Sequence, residues 1–327
     1  MSTVGVSSAS ISQHDLPAPR FGHSTTLIGP NSVILFGGAV GDTGHYQITN
    51  ECYHYNLTDK TWSKLEAENP PRARAAHGAA RVDTMQMVIY GGATGGGTLS
   101  TEELYLLDCR KFPKTISWMT VPISGPTPGR RYGHSMNYYK PNLIVFGGNN
   151  GQQSLNDIWY MDVVQSPFLW NQVHIPPGDK KPPERVYHSA DVCRDGPANG
   201  MLVIFGGRTT NNEPMKDVWG LRQHRDLSWD WVAAPVKKGS LPEARFQHSA
   251  VFIGTKMFVV GGREQDVSKM LSTAMYDTET CEWKSLPGVE RFRHASWAAG
   301  TQIYTFGGFD HQTQTHPTDN LQVMDAL

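Results

Sequence analysis

A chain of 327 residues with 33 Gly, 21 Pro, 18% charged residues and a formal net charge of −1 is rich in turns and close to neutral. That composition excludes a disordered polyelectrolyte and offers no bulk attraction for nucleic acid. Cys52, Cys109, Cys193 and Cys281 form no Cys-x-x-Cys pair, which favours free buried thiols in a reducing compartment over a disulfide scaffold or a zinc site.

Along the chain the first strong signal is the apolar run Val33-Ile34-Leu35-Phe36, closed by Gly37-Gly38. The same ending returns at Gly91-Gly92, Gly147-Gly148, Gly206-Gly207, Gly261-Gly262 and Gly307-Gly308, in steps of 54, 56, 59, 55 and 46 residues. Upstream of each pair stands Arg-x-x-His, beginning at Arg20, Arg74, Arg131, Arg185, Arg245 and Arg291. Downstream comes an aromatic-bearing strand, as at Tyr53-His54-Tyr55 or Ile158-Trp159-Tyr160, and then a Trp at Trp62, Trp118, Trp170, Trp229 or Trp231, and Trp283. A unit near fifty residues repeated six times is the mark of radially arranged β-sheets.

These landmarks resemble the kelch repeat, over about 310 of the 327 residues. The resemblance implies an all-β, six-bladed propeller with four antiparallel strands per blade. Its first strands would line a central channel and its fourth strands the rim. Each Gly-Gly is expected to take positive φ and to let a neighbouring blade's aromatic side chain approach. The outer Trp is expected to cover the joint between blades while its indole N–H finds a partner near the rim. The sixth unit has strands near Ala295–Ala299, Gln302–Phe306 and Leu321–Asp325 but no outer Trp. Residues 1–16, with the segment from Val4 to Ile11, are expected to supply its closing strand, and residues 17–327 to form the rest of the propeller. The alternative is a disordered N-terminus beside an incomplete sixth blade.

Antiparallel alternation places Arg-x-x-His and the residues after each Gly-Gly on one face. An Arg and a His repeated six times at one position are expected to serve the fold, because buried polar groups are nearly always hydrogen-bonded. The irregular cations Arg72, Arg130, Arg208, Arg263 and Arg293, with Arg131 and the aromatics Tyr132, Tyr187 and Phe246, are expected to contact a partner. Guanidinium forks in that number suit acidic or phosphorylated peptide, and only Glu184, Glu243, Glu264 and Asp266 stand near to offset them. Longer insertions, Gly41 to Asn50, Ala93 to Thr101 and Phe309 to Asn320, belong to the same face.

Catalytic constellations of kelch enzymes, such as the Tyr-Cys pair of copper oxidases or a Glu-x-x-x-Asp-x-x-x-His loop, are not legible. No catalytic residue, metal ligand or cofactor is expected in this chain. The stretches Tyr90 to Gly97, Pro128 to His134 and Lys140 to Gly148 resemble the N-terminal region of protein phosphatases with kelch-like domains. That resemblance implies a regulatory or substrate-targeting domain whose parent carries a Ser/Thr phosphatase domain elsewhere, with signalling kinases or the parent's own phosphatase domain as partners. Phosphatase motifs such as Gly-Asn-His-Glu are missing here. The rival reading is a small-molecule enzyme working at the channel mouth. Neither a membrane-spanning run of ~18 apolar residues nor a signal-peptide pattern is present, so a soluble protein of the cytoplasm or nucleus is expected, with no membrane or nucleic-acid partner.

Overall fold

The computed structural model describes residues 6–8, 15–237, 241–269 and 271–326, with residues 6–8 as backbone alone. Among the described residues are six four-stranded antiparallel sheets. Sheet 1 comprises Ser24–Ile28, Ser32–Phe36, Cys52–Asn56 and Thr61–Leu65, and sheet 2 Gly78–Asp83, Gln86–Tyr90, Leu104–Asp108 and Ser117–Thr120. Sheet 3 holds Ser135–Tyr139, Asn142–Phe146, Ile158–Asp162 and Asn171–Val173. In sheet 4 the strands are Ser189–Val192, Leu202–Phe205, Val218–Gln223 and Trp229–Ala233, and in sheet 5 Ser249–Ile253, Lys256–Val260, Thr273–Asp277 and Glu282–Leu286. Sheet 6 has Ala295–Ala299, Gln302–Phe306 and Leu321–Asp325, bordered by Val6–Ser8, whose Val6 pairs with Met324 and Ser8 with Gln322. Residues 4, 5 and 9–11 of the expected closing segment lie outside the described residues.

In every sheet the first three strands follow chain order, so each is a meander whose alternation buries side chains on both faces. First strands of successive sheets lie side by side, and those of sheets 1 and 6 are also neighbours. Between sheets the contact is aromatic. The last residue of each second strand, Phe36, Tyr90, Phe146, Phe205 or Phe306, receives the outer Trp of the following sheet, with Phe36 4.8 Å from Trp118 and Phe306 5.0 Å from Trp62. Trp231 takes this place in sheet 4, 5.0 Å from Phe146, while Trp229 packs on Tyr160 at 5.3 Å. Sheet 5 ends its second strand in Val260, the position facing the one sheet that has no outer Trp. The indole N–H groups of Trp62, Trp118, Trp170 and Trp283 have no hydrogen-bond partner among the described residues. These nitrogens are buried, so the expected rim partner is not found among the described residues.

The glycine pairs also differ from expectation in what they accommodate. A Cβ on Gly91 (φ +67°) would stand 2.5 Å from the carbonyl oxygen of Arg131 and 2.7 Å from the His134 ring, and one on Gly92 would stand 2.8 Å from the Ala75 carbonyl. The close neighbour is therefore the next sheet's backbone and histidine for the first glycine and the entry segment of its own sheet for the second, while the outer aromatics pack elsewhere. Gly91→Ala combines left-handed strain of ~1–2 kcal/mol with overpacking of ~1–3 kcal/mol. Gly96→Ala (φ +57°, nothing within 4 Å) carries the strain alone. Urea unfolding of the two variants should show Gly91→Ala as clearly the less stable, and equal midpoints would contradict the packing role.

Candidate partner-binding face

The six repeated arginines lie inside the fold, each at most 3% exposed. Arg185 shows the pattern. Its Nη1 donates to the carbonyl of Gly206 at 2.9 Å, both terminal nitrogens bind the Asp217 carboxylate (3.0 and 2.8 Å), and Nε donates to the Pro183 carbonyl at 3.2 Å. Arg20 binds Gly37 and Glu51, and Arg245 binds Gly261, Ser272 and Glu243. The backbone carbonyl of each arginine accepts the N–H of the preceding sheet's second glycine, as Gly207 to Arg245 at 2.9 Å. One residue thus ties its own second strand to the sheet before it. Arg131 belongs to this set: it is 1% exposed, bound to Gly147, Asp157 and Pro128. Its expected place among the partner-contacting cations is corrected, because a guanidinium with these bonds inside the fold has no donor to present at the surface.

The repeated histidines are buried as well. His77 Nε2 lies 2.8 Å from Ser24 Oγ and His188 Nε2 3.0 Å from Ser135 Oγ, each reaching the preceding sheet. Burial, reinforced by the adjacent arginine, pulls the His77 and His294 rings down to about 3, and the other four also fall well below the usual range. These rings are neutral packing groups.

Between each Arg and His, the residue two after the arginine closes a girdle of backbone hydrogen bonds. Ala76 N–H donates to Gly22, Gly133 to Ala76, Tyr187 to Gly133, Gln247 to Tyr187, Arg293 to Gln247 and Gly22 to Arg293, at 2.8–3.0 Å. All six have φ between 54° and 66°. Glycine takes that conformation without penalty, yet Ala76, Tyr187, Gln247 and Arg293 also adopt it, at a cost of ~1–2 kcal/mol each. Strain of this kind gathers at functional positions.

Over the girdle the cations and aromatics interleave. Arg208 lies over Tyr187 (5.5 Å) and Phe246 (5.2 Å), Arg263 over Phe246 (4.7 Å) and Phe292 (5.4 Å), and Arg293 over Phe21 (5.4 Å). Tyr132 packs against Tyr187 at 5.7 Å. Phe309 takes the corresponding place in sheet 6, stacked on Phe292 at 5.4 Å. Arg263 Nε donates to Gln247 Oε1 at 2.9 Å and Arg208 Nη1 to Asn212 Oδ1 at 2.6 Å. None of Arg208, Arg263 and Arg293 forms an ion pair among the described residues. Nearby acids are engaged elsewhere: Glu243 by Arg245 (3.2 Å), Glu264 by Lys269 (2.9 Å) and Asp266 by Ser268 (2.6 Å). Burial, with the crowding of Arg293 and Arg208, lowers the Arg263 guanidinium to about 10. Burial also raises the Tyr187 phenol.

Of the expected contact residues, the structure thus gathers Arg208, Arg263, Arg293, Tyr132, Tyr187 and Phe246. Phe246 is corrected from a contact residue to a buried platform, because at 2% exposure its ring is covered by the Arg208 and Arg263 guanidinia it presents. Arg72 and Arg130 are exposed but stack on none of these aromatic rings, and Arg72 lies in the field of Glu103. Sequence reading missed Gln247, Asn212 and Phe309. The residue after each Gly-Gly was the available signal, since it is large only in the last three units.

The model of the KLHDC2/KLHL20/DRC7 Kelch-repeats domain matches residues 22–229 and 198–326. The chain belongs to the kelch-repeat family. Serine/threonine-protein phosphatase BSL2 of Arabidopsis thaliana is 33% identical to it, across 86% of this kelch chain and 31% of that protein. Host cell factor of Drosophila melanogaster is 28% identical (90% of this chain, 21% of that protein) and human host cell factor 2 is 26% identical (90% and 40%). The kelch chain therefore spans between about a fifth and two-fifths of the length of these relatives.

Proposed function

We propose that this chain is a protein-interaction module: a closed disc of six blades, with Val6–Ser8 completing the sixth, that receives an acidic or phosphorylated peptide on its arginine-bearing mouth. The carrying observation is the stack of Arg208 and Arg263 on Tyr187, Phe246 and Phe292, three guanidinia with Arg293 that lack a carboxylate of their own. Arginine held over aromatic rings and pinned through one nitrogen, as Arg208 by Asn212 and Arg263 by Gln247, is pre-oriented with its other donors left for an anion, which then meets little ordering cost. Similarity to BSL2 supports the finer reading that the module regulates or targets a Ser/Thr phosphatase carried by a longer parent, in cytoplasmic signalling.

The test is capture of partners and of acidic or phosphorylated peptides by wild type beside an Arg208→Ala, Arg263→Ala double variant. Binding should fall at least tenfold in the variant and weaken as salt is raised, because exposed charge pairs are screened over a Debye length of ~10 Å at 0.1 M. Unchanged capture of every partner, or turnover of a small molecule at the mouth, would overturn the reading.

A further inference from the structure

Two series of positions around the mouth divide along the same diameter. At the girdle, sheets 1–3 carry Gly22, Ala76 and Gly133, and sheets 4–6 carry Tyr187, Gln247 and Arg293. After the glycine pairs, sheets 1–3 carry Ala39, Ala93 and Asn149, and sheets 4–6 carry Arg208, Arg263 and Phe309. Within the girdle, opened on one side by these small residues, lies a cavity of about 520 Å³ floored by all six repeated histidines and reaching Gln247 on the opposite side. Tyr46 and Ile48 wall it from the hairpin Ala39–Asp42 with His45–Ile48, and Leu99 from the hairpin Ala93–Gly95 with Thr98–Leu99. Tyr46 is 47% exposed and packs edge-on to Phe21 at 5.5 Å. The far wall is Tyr187 and Arg293, so the cavity opens directly beside the guanidinia.

We infer that the mouth reads two adjoining chemistries at once: a bulky apolar side chain enters the cavity over sheets 1–3, and a carboxylate or phosphate next to it in the same peptide binds the arginines of sheets 4–6. This rests on the interaction reading above and adds the apolar anchor to it. The histidine floor is uncharged, and Nε2 of His77, His188, His248 and His294 is engaged by the preceding sheet, so the rings offer an anchor neutral ring surface. Volume agrees as well, lying within the ~300–1,000 Å³ of pre-formed ligand sites and large enough for an indole with its flanking backbone. An acid-only ligand would leave this hollow filled with water, and burying an aromatic side chain against Tyr46, Ile48 and Leu99 is the larger source of affinity.

The experiment uses fluorescein-labelled peptides with an Asp-Trp-Asp or an Asp-Ala-Asp core, which place an acid on both sides of the anchor, and reads anisotropy on the full chain. Wild type should bind the Trp peptide about tenfold or more tightly than the Ala peptide. Ala93→Phe should erase that preference, and its backbone position already carries Arg208, Arg263 or Phe309 in sister sheets, so the added bulk has precedent in this fold. Leu99→Ser, on the exposed hairpin, should narrow the preference without filling the site. Arg208→Ala with Arg263→Ala should weaken both peptides by the same factor. Equal binding of the two peptides by wild type, with arginine dependence intact, would overturn the apolar anchor and leave the acidic reading standing. Loss of arginine dependence for both would overturn the two together.

Discussion

Replacing Arg185 by Ala is expected to cost ~1–3 kcal/mol for each buried acceptor it leaves unsatisfied, and so more than any surface arginine. Removal takes two charged hydrogen bonds from the partly exposed Asp217 carboxylate, which keeps Trp219 Nε1 at 2.7 Å, and leaves the carbonyls of Gly206 and Pro183 without their arginine donor. Arg185→Lys should recover little, because an ammonium cannot reach two carboxylate oxygens and two carbonyls as a planar fork does. By contrast Arg208→Ala loses only contacts over Tyr187 and Phe246 and one bond to Asn212, worth about 1 kcal/mol or less. Urea midpoints of the three variants measure the difference. A loss at Arg185 no larger than at Arg208 would contradict the division of the arginines into internal ties and surface donors.

Acid should unfold the protein well above the carboxylate range. His77 and His294 are held at about 3 against an ordinary 6.5, so between those values the unfolded chain binds protons that the folded chain refuses. Stability from these rings is complete above 6.5 and is lost progressively as pH falls below it. At ~1.4 kcal/mol per pH unit below 6.5, each ring gives up ~2 kcal/mol by about pH 5, or ~4 kcal/mol for the pair. His23, His134, His188 and His248 shift in the same direction. The carboxylates of Glu51 and Asp217, themselves lowered, respond only at lower pH. The check is the urea midpoint from about pH 7.5 down to about pH 5, with His77→Gln expected to flatten the slope by nearly one proton. A midpoint that does not move over this interval would show that the rings titrate freely in the folded protein.

Much of this architecture was legible because each unit repeats its chemistry. Six Gly-Gly endings and six Arg-x-x-His entries marked the six sheets, and repetition itself marked Arg185 and its equivalents as internal. Arg131 was assigned to the surface because Arg130 beside it blurs the repeat position; only the enclosed bonds to Gly147 and Asp157 separate the two. The acceptor that answers each arginine was not legible, since it is a carboxylate of Glu51 or Asp157 next to the third strand in some units and the Ser100 hydroxyl or the Asn320 carbonyl in others. The neighbour of each glycine pair was misread for a related reason. Tight contact with the Arg131 carbonyl is made by backbone, which no side-chain pattern reports. The divided mouth was written at the position between Arg and His, as Gly22, Ala76 and Gly133 against Tyr187, Gln247 and Arg293, but it becomes visible only once the units are set in a circle.

The girdle has an electrostatic consequence. Each of its six residues gives its N–H to one neighbour and its C=O to the other in one rotational sense, so the in-plane hydrogen-bond vectors sum to nearly nothing. Unlike a helix terminus, the girdle presents no unpaired N–H or C=O of its own to the opening. Whatever sign or selectivity it shows is written by side chains alone, one per sheet, on a frame that stays the same when any of them is exchanged.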